Sequence, residues 1–119
     1  MTHSEFATLI SGMGYDNAYD FFKDDTEHEP PFICFLYGSR IDLTADNSNY
    51  QYIERARIEF YSRERDFDAE KAIGEALNNA GLVYSIYSEF LDDEEMQMTV
   101  FETSYVLTEE EENASEQQN

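Results

Sequence analysis

The sequence predicts a single α+β domain, a mainly antiparallel sheet of four to five strands with two helices packed on one face. Three observations predict it. Two stretches carry apolar residues at helical spacing, and each stops at glycine. Four longer stretches are strand-like, either alternating or short and continuously apolar. The order is helix, strands, helix, strands, which suits helices segregated to one face of a sheet. At 119 residues, 41% hydrophobic and 15% aromatic, the chain can build one modest core.

Thr2-His3-Ser4-Glu5 has the spacing of a capping box, and Phe6, Leu9, Ile10 and Met13 follow on one helical face. This predicts a first helix over Ser4–Gly12. Tyr15–Phe22 is ambiguous, a short edge strand around Ala18–Phe21 being one reading. Pro30-Pro31 sets an extended entry. Phe32–Tyr37 is continuously apolar and reads as a central strand buried on both faces. A loop is expected from Gly38, carrying Ala45-Asp46-Asn47-Ser48-Asn49-Tyr50. From Tyr50 to Ser62 the pattern alternates: Tyr52, Ala56, Ile58 and Phe60 share one face, and Ile53, Arg55, Arg57, Glu59 and Tyr61 share the other. Glu54 falls on the apolar face, near enough to its start to reach water. Asp66 or Asp68 caps a second helix over Phe67–Ala80, with Ala69, Ala72, Ile73, Ala76, Leu77 and Ala80 as its apolar stripe. Leu82–Leu91 and Met96–Leu107 form an antiparallel pair around the turn Asp92-Asp93-Glu94-Glu95. The folded domain is expected over 1–108, followed by a disordered acidic tail over 109–119.

The formal net charge is -20, and removing the five acidic residues of Glu109–Asn119 still leaves -15. Acidity is therefore a property of the body. It disfavours binding to nucleic-acid phosphates, where counterion release is needed, and to anionic membranes. No basic segment precedes an apolar core at the N-terminus, so a secretory leader is not expected, and no apolar run approaches a membrane span. Cys34 is the only cysteine; it reads as a small buried hydrophobe in a chain made under reducing conditions.

Reactive chemistry finds little support. His3 lies in the first turn of a helix and His28 in a polar loop, neither with an orienting carboxylate in a motif. Asp46–Asn49 and Asp92–Glu95 offer oxygen ligands but not the alternation of a calcium loop, and read better as an Asx turn and solvated charge. Gly12 and Gly14 follow no strand, against a nucleotide loop. The expectation is a non-enzyme with no metal and no cofactor.

The basic residues are unevenly placed. Arg55, Arg57, Arg63, Arg65 and Lys71 are five of the seven. They either pair within the chain or meet the acidic face of another copy.

The block Glu29–Arg63 resembles the tail terminator, or neck, proteins of long-tailed bacteriophages and prophages. The matching features are Pro30-Pro31-Phe32-Ile33, Tyr37-Gly38-Ser39, Ala45-Asp46-Asn47 with Tyr50, and Ile58-Glu59-Phe60-Tyr61. They are followed by a helix over Asp68–Ala80 and strands over Tyr84–Leu91 and Met98–Val106. Ala18-Tyr19 and Phe22 fit the same pattern, which covers about 4–107. Ser62-Arg63-Glu64-Arg65-Asp66 stands where the pattern has a Lys-rich segment, and the acidic tail is unusually long. The resemblance implies a structural virion protein made in the host cytoplasm. It would form a ring, typically hexameric, that ends tail-tube growth, contacts the tail tube protein and the head-completion or neck protein, and lets DNA pass without specific binding. Arg55, Arg57 and Arg63 are then expected to dock on carboxylates of a neighbour such as Asp92, Asp93, Glu94 and Glu95. Asp46, Asn47 and Tyr50 would shape the loop. The competing reading is an acidic module that mimics nucleic acid and occupies a basic protein.

Overall fold

The computed structural model describes residues 1–21, 29–38, 41–45 and 49–108. The first helix, α1, spans His3–Ser11. Thr2 accepts from the Glu5 backbone N–H, and Glu5 accepts from that of Thr2 at 2.8 Å, so the capping box forms as expected. Four strands follow: β1 at Asp16–Tyr19, β2 at Phe32–Tyr37, β3 at Ile41–Ala45 and β4 at Asn49–Ser62. Helix α2 covers Phe67–Asn79, with Asp66 accepting from Ala69 N–H as its cap, and β5 at Tyr84–Leu91 and β6 at Met96–Leu107 complete the chain.

The sheet order is β1-β2-β4-β6-β5, with β3 paired to β4 off this path. All pairs are antiparallel except β1 with β2. The edge strand read around Ala18–Phe21 is β1, which stops where Asp20 takes φ +70°. The stretch after Gly38 is not one loop. Ile41–Ala45 is a strand whose residues pair with Asn49–Ile53, so the polar cluster closes a hairpin. Its alternation of Ile41, Asp42, Leu43 and Thr44 has the strand period, but over only five residues. Asp46 and Asn47 lie outside the described residues.

Both helices cover the same face. Phe6 and Ile10 of α1 and Ile73 and Leu77 of α2 join Ile33, Phe35, Ala56, Ile58, Phe60, Phe101 and Tyr105 in one core. The rings of Phe6 and Tyr105 stack at 5.3 Å between centroids.

The buried stripe of α2 differs from the expected alanine stripe. Ala69, Glu70, Ile73, Gly74 and Leu77 are buried, whereas Ala72 and Ala80 are exposed. Two specific contacts turn the helix this way. Glu70 receives Thr99 Oγ1 at 3.0 Å and Arg65 Nε at 2.8 Å, so its carboxylate is satisfied while buried. Gly74 lies against Tyr84, where a Cβ would meet the hydroxyl at 2.0 Å.

Gly74→Ala therefore sets a helix-propensity gain of about 1 kcal/mol against overpacking of about 1–3 kcal/mol. A lower urea midpoint with unchanged slope is expected, with partial recovery in Gly74→Ala/Tyr84→Phe. A midpoint at or above wild type would refute the close approach.

Candidate functional site

Among the described residues no helix lies on the other face of the sheet, so its side chains there shelter one another. Alternation places Arg55, Arg57, Glu59 and Tyr61 of β4 there, beside Met98, Val100 and Glu102 of β6. Val100 sits between Glu59 and Tyr87 in register and is 0% exposed. The groups around it form a connected roof. Arg57 Nε donates to Glu59 at 2.8 Å, Tyr61 Oη donates to the other Glu59 oxygen at 2.8 Å, and the Arg57 guanidinium lies 5.8 Å from the Tyr87 ring centroid. Arg57 is thus paired inside the chain.

Arg63 is separated from this group. It follows β4 at the opposite end of the strand and pairs with Glu29 on the surface. The turn Asp92–Glu95 sits at that same end, because Ser62 is in register with Gln97. All four of its acids are exposed. Tyr50 is placed by its backbone in β4, opposite Thr44.

Arg55 is exposed and forms no ion pair among the described residues. It lines a concavity of about 790 Å³ together with Leu36, Arg57, Val83, Ser85, Glu102 and Ser104. The register explains its shape. Leu36, Arg57, Glu102 and Ser85 form one row across β2, β4, β6 and β5, and Arg55 and Ser104 belong to a parallel row two residues away. Between them run Ala56, Thr103 and Tyr84, whose side chains point to the helix face. The result is a trench crossing the sheet, floored by backbone. Periodicity within single strands could not reveal it, since only the register brings the four strands' residues together.

Next to the trench, β5 is an outer strand of eight residues. Ile86, Tyr87 and Phe90 are exposed, and Val83, just before it, is 84% exposed. Glu89 is the strand's one charge. Natural edge strands are usually shortened, bulged or charged against pairing with other chains; this one is eight residues long, pairs with β6 without a bulge and carries a single charge.

Two residues read as unremarkable prove to be fixed by the fold. Glu54 does not reach water: it is 2% exposed and receives His3 Nε2 at 2.6 Å. His3 also packs its ring 4.6 Å from that of Tyr37. The apolar pattern around Glu54 was the available sign that its carboxylate needs an inward partner.

Cys34 is buried on the open face, and burial, followed by Glu59 and Asp20, pushes its thiol from 9.0 up to about 11. Tyr61 is likewise raised, by burial and then by its bond to Glu59. Groups held protonated in the fold stabilise it fully below their unfolded values. That contribution is lost as pH rises from about 9 toward 11. The urea midpoint should fall between pH 8 and pH 10.5, and iodoacetamide at pH 8 should label Cys34 only on unfolding. Rapid labelling of the native chain would contradict this burial.

No family model matches the chain, and no curated protein matches it. Among solved structures, it is similar to a chain described as "Virion of native gene transfer agent (GTA) particle", with a TM-score of 0.52 and 14% identity, covering 82% of each chain. At that identity the likeness is one of fold.

Proposed function

We propose that this chain is a structural virion protein of the tail terminator type, a ring subunit that ends tail-tube growth and joins the tube to the neck. The observation that carries the reading is the fold likeness to a chain of a virion particle, over 82% of both chains. The sequence resemblance to tail terminators adds to it through the order of its motifs.

The sheet edge gives this reading a physical means. A ring needs a heterologous contact, with two different patches that meet head to tail. The eight-residue outer edge of β5, apolar on both faces, supplies one patch. The trench beside it supplies charge-selective contacts, with Arg55 as the cation left over for a neighbour. Arg57 has its charge engaged by Glu59, and Arg63 and the Asp92–Glu95 turn serve the opposite end of the subunit. A body of net charge -15 repels the DNA that crosses such a ring, so passage occurs without specific binding. The chain acts in this reading as a non-enzyme, within the virion and, during assembly, in the host cytoplasm.

Ring formation is tested by sizing and negative-stain microscopy, alone and with polymerising tail tube protein from the same phage or prophage. Wild type is expected to form discrete rings and to shorten the tubes. Ile86→Lys/Phe90→Lys should leave a folded monomer that caps no tubes. A wild-type chain that stays monomeric with tube ends present, or that binds a basic protein with salt-sensitive affinity instead, would overturn the proposal.

A further inference from the structure

We infer that the trench over Ala56, Thr103 and Tyr84 receives the acidic segment Glu109–Glu112 of a second copy. This inference rests on the assembly reading above and names the chemistry of one of its contacts.

The dimensions agree. The trench crosses four strands, so three inter-strand spacings of roughly 4.8 Å give about 14 Å of length. Four extended residues span about 13 Å. Its walls offer donors for carboxylates: the guanidinium of Arg55, the outer nitrogens of Arg57, and the hydroxyls of Ser85 and Ser104. Glu102 is the opposing charge. Glu59 holds the Arg57 charge, so Arg55 is the trench's unpaired cation among the described residues, with Glu102 on the facing wall.

The direction of β6 favours a neighbour over the same chain. Ser104 lies in the trench wall, and the strand continues to Leu107, roughly 10 Å further on. Thr108 N–H then donates to the carbonyl of Met1. The acidic run therefore begins beyond the trench, and to reach it within one copy the chain would have to double back along β6. The turn Asp92–Glu95 is a poorer occupant. Leu91 and Met96 pair directly across it, so its ends stay about 5 Å apart and its four carboxylates cannot lie along 14 Å.

The test uses the full chain with Glu109–Glu112 changed to Gln, and a fluorescent peptide of residues 108–119, TEEEENASEQQN. Fluorescence anisotropy at low salt should show saturable binding. It should weaken roughly tenfold when Arg55→Glu is added, disappear toward ~0.5 M salt, and strengthen with Glu102→Gln. No binding, or binding indifferent to Arg55→Glu, overturns the inference. In parallel, sizing compares wild type with the tail-neutralised chain and with one in which Asp92–Glu95 are neutralised. The tail variant should need a higher concentration to assemble. Unchanged rings there, or loss only in the turn variant, overturn the tail contact and leave the ring reading intact. Arg55-dependent peptide binding by a chain that never assembles supports the trench's chemistry while ending the ring reading. Amide shifts at Ser85 and Ser104 that differ between wild type and tail variant, unchanged by dilution, would place the segment in its own trench and overturn the exchange between copies.

Discussion

The β4–β6 ladder is the constraint on which the rest depends. It runs without a break from Tyr52 opposite Leu107 to Ser62 opposite Gln97. Strands β2, β3 and β5 attach directly to one of these two, β1 attaches through β2, and both helices pack on the same face of the sheet. The ladder also sorts side chains by parity. One parity sends Ala56, Ile58, Phe60, Phe101 and Tyr105 under the helices; the other sends Arg55, Arg57, Glu59, Tyr61, Val100 and Glu102 to the uncovered face. The open face must therefore keep Val100 dry with polar side chains, which is why Glu59 holds both Arg57 and Tyr61.

Two carboxylates tie the helices to that ladder. Glu54 reaches from β4 to His3 in the first turn of α1, and Glu70 reaches from α2 to Thr99 of β6 while Arg65 closes over it. Removing the partner would leave a desolvated carboxylate without its compensating donor. These acids set the position of each helix on the sheet. In so acidic a chain they also show that carboxylates are not interchangeable surface charge.

Much of the fold was legible because it depends on period and punctuation. The capping box at Thr2 and Glu5, the strand over Phe32–Tyr37, the two faces of β4 and the hairpin around Asp92–Glu95 all announce themselves locally. What escaped depends on contacts distant in sequence. The rotation of α2 is decided by Tyr84 and Thr99, not by its alanines. Glu54 looks like a surface acid until His3, fifty-one residues away, is seen beside it. Strand β3 is too short for its alternation to stand out, and it is fixed by β4. The trench exists only in the register of four strands, so only Arg55 and Arg57, one from each wall, were visible beforehand.

Assembly into the proposed ring would have to work against the chain's own charge. Copies carrying -20 each repel one another, but at physiological salt that repulsion is screened beyond roughly 8 Å. Contacts that act at van der Waals range can therefore win locally without reducing the field elsewhere. In the proposed ring, outer strand β5 would offer such a contact, since Ile86, Tyr87 and Phe90 are exposed and Glu89 is its only charge. Arg55 adds a cation where a neighbour's acids would otherwise be excluded. This division lets one surface be adhesive and the rest repellent. The proposed ring, which would grip its own copies while DNA slides through it, needs both properties at once, and the sheet offers an apolar edge at β5 within an otherwise acidic chain.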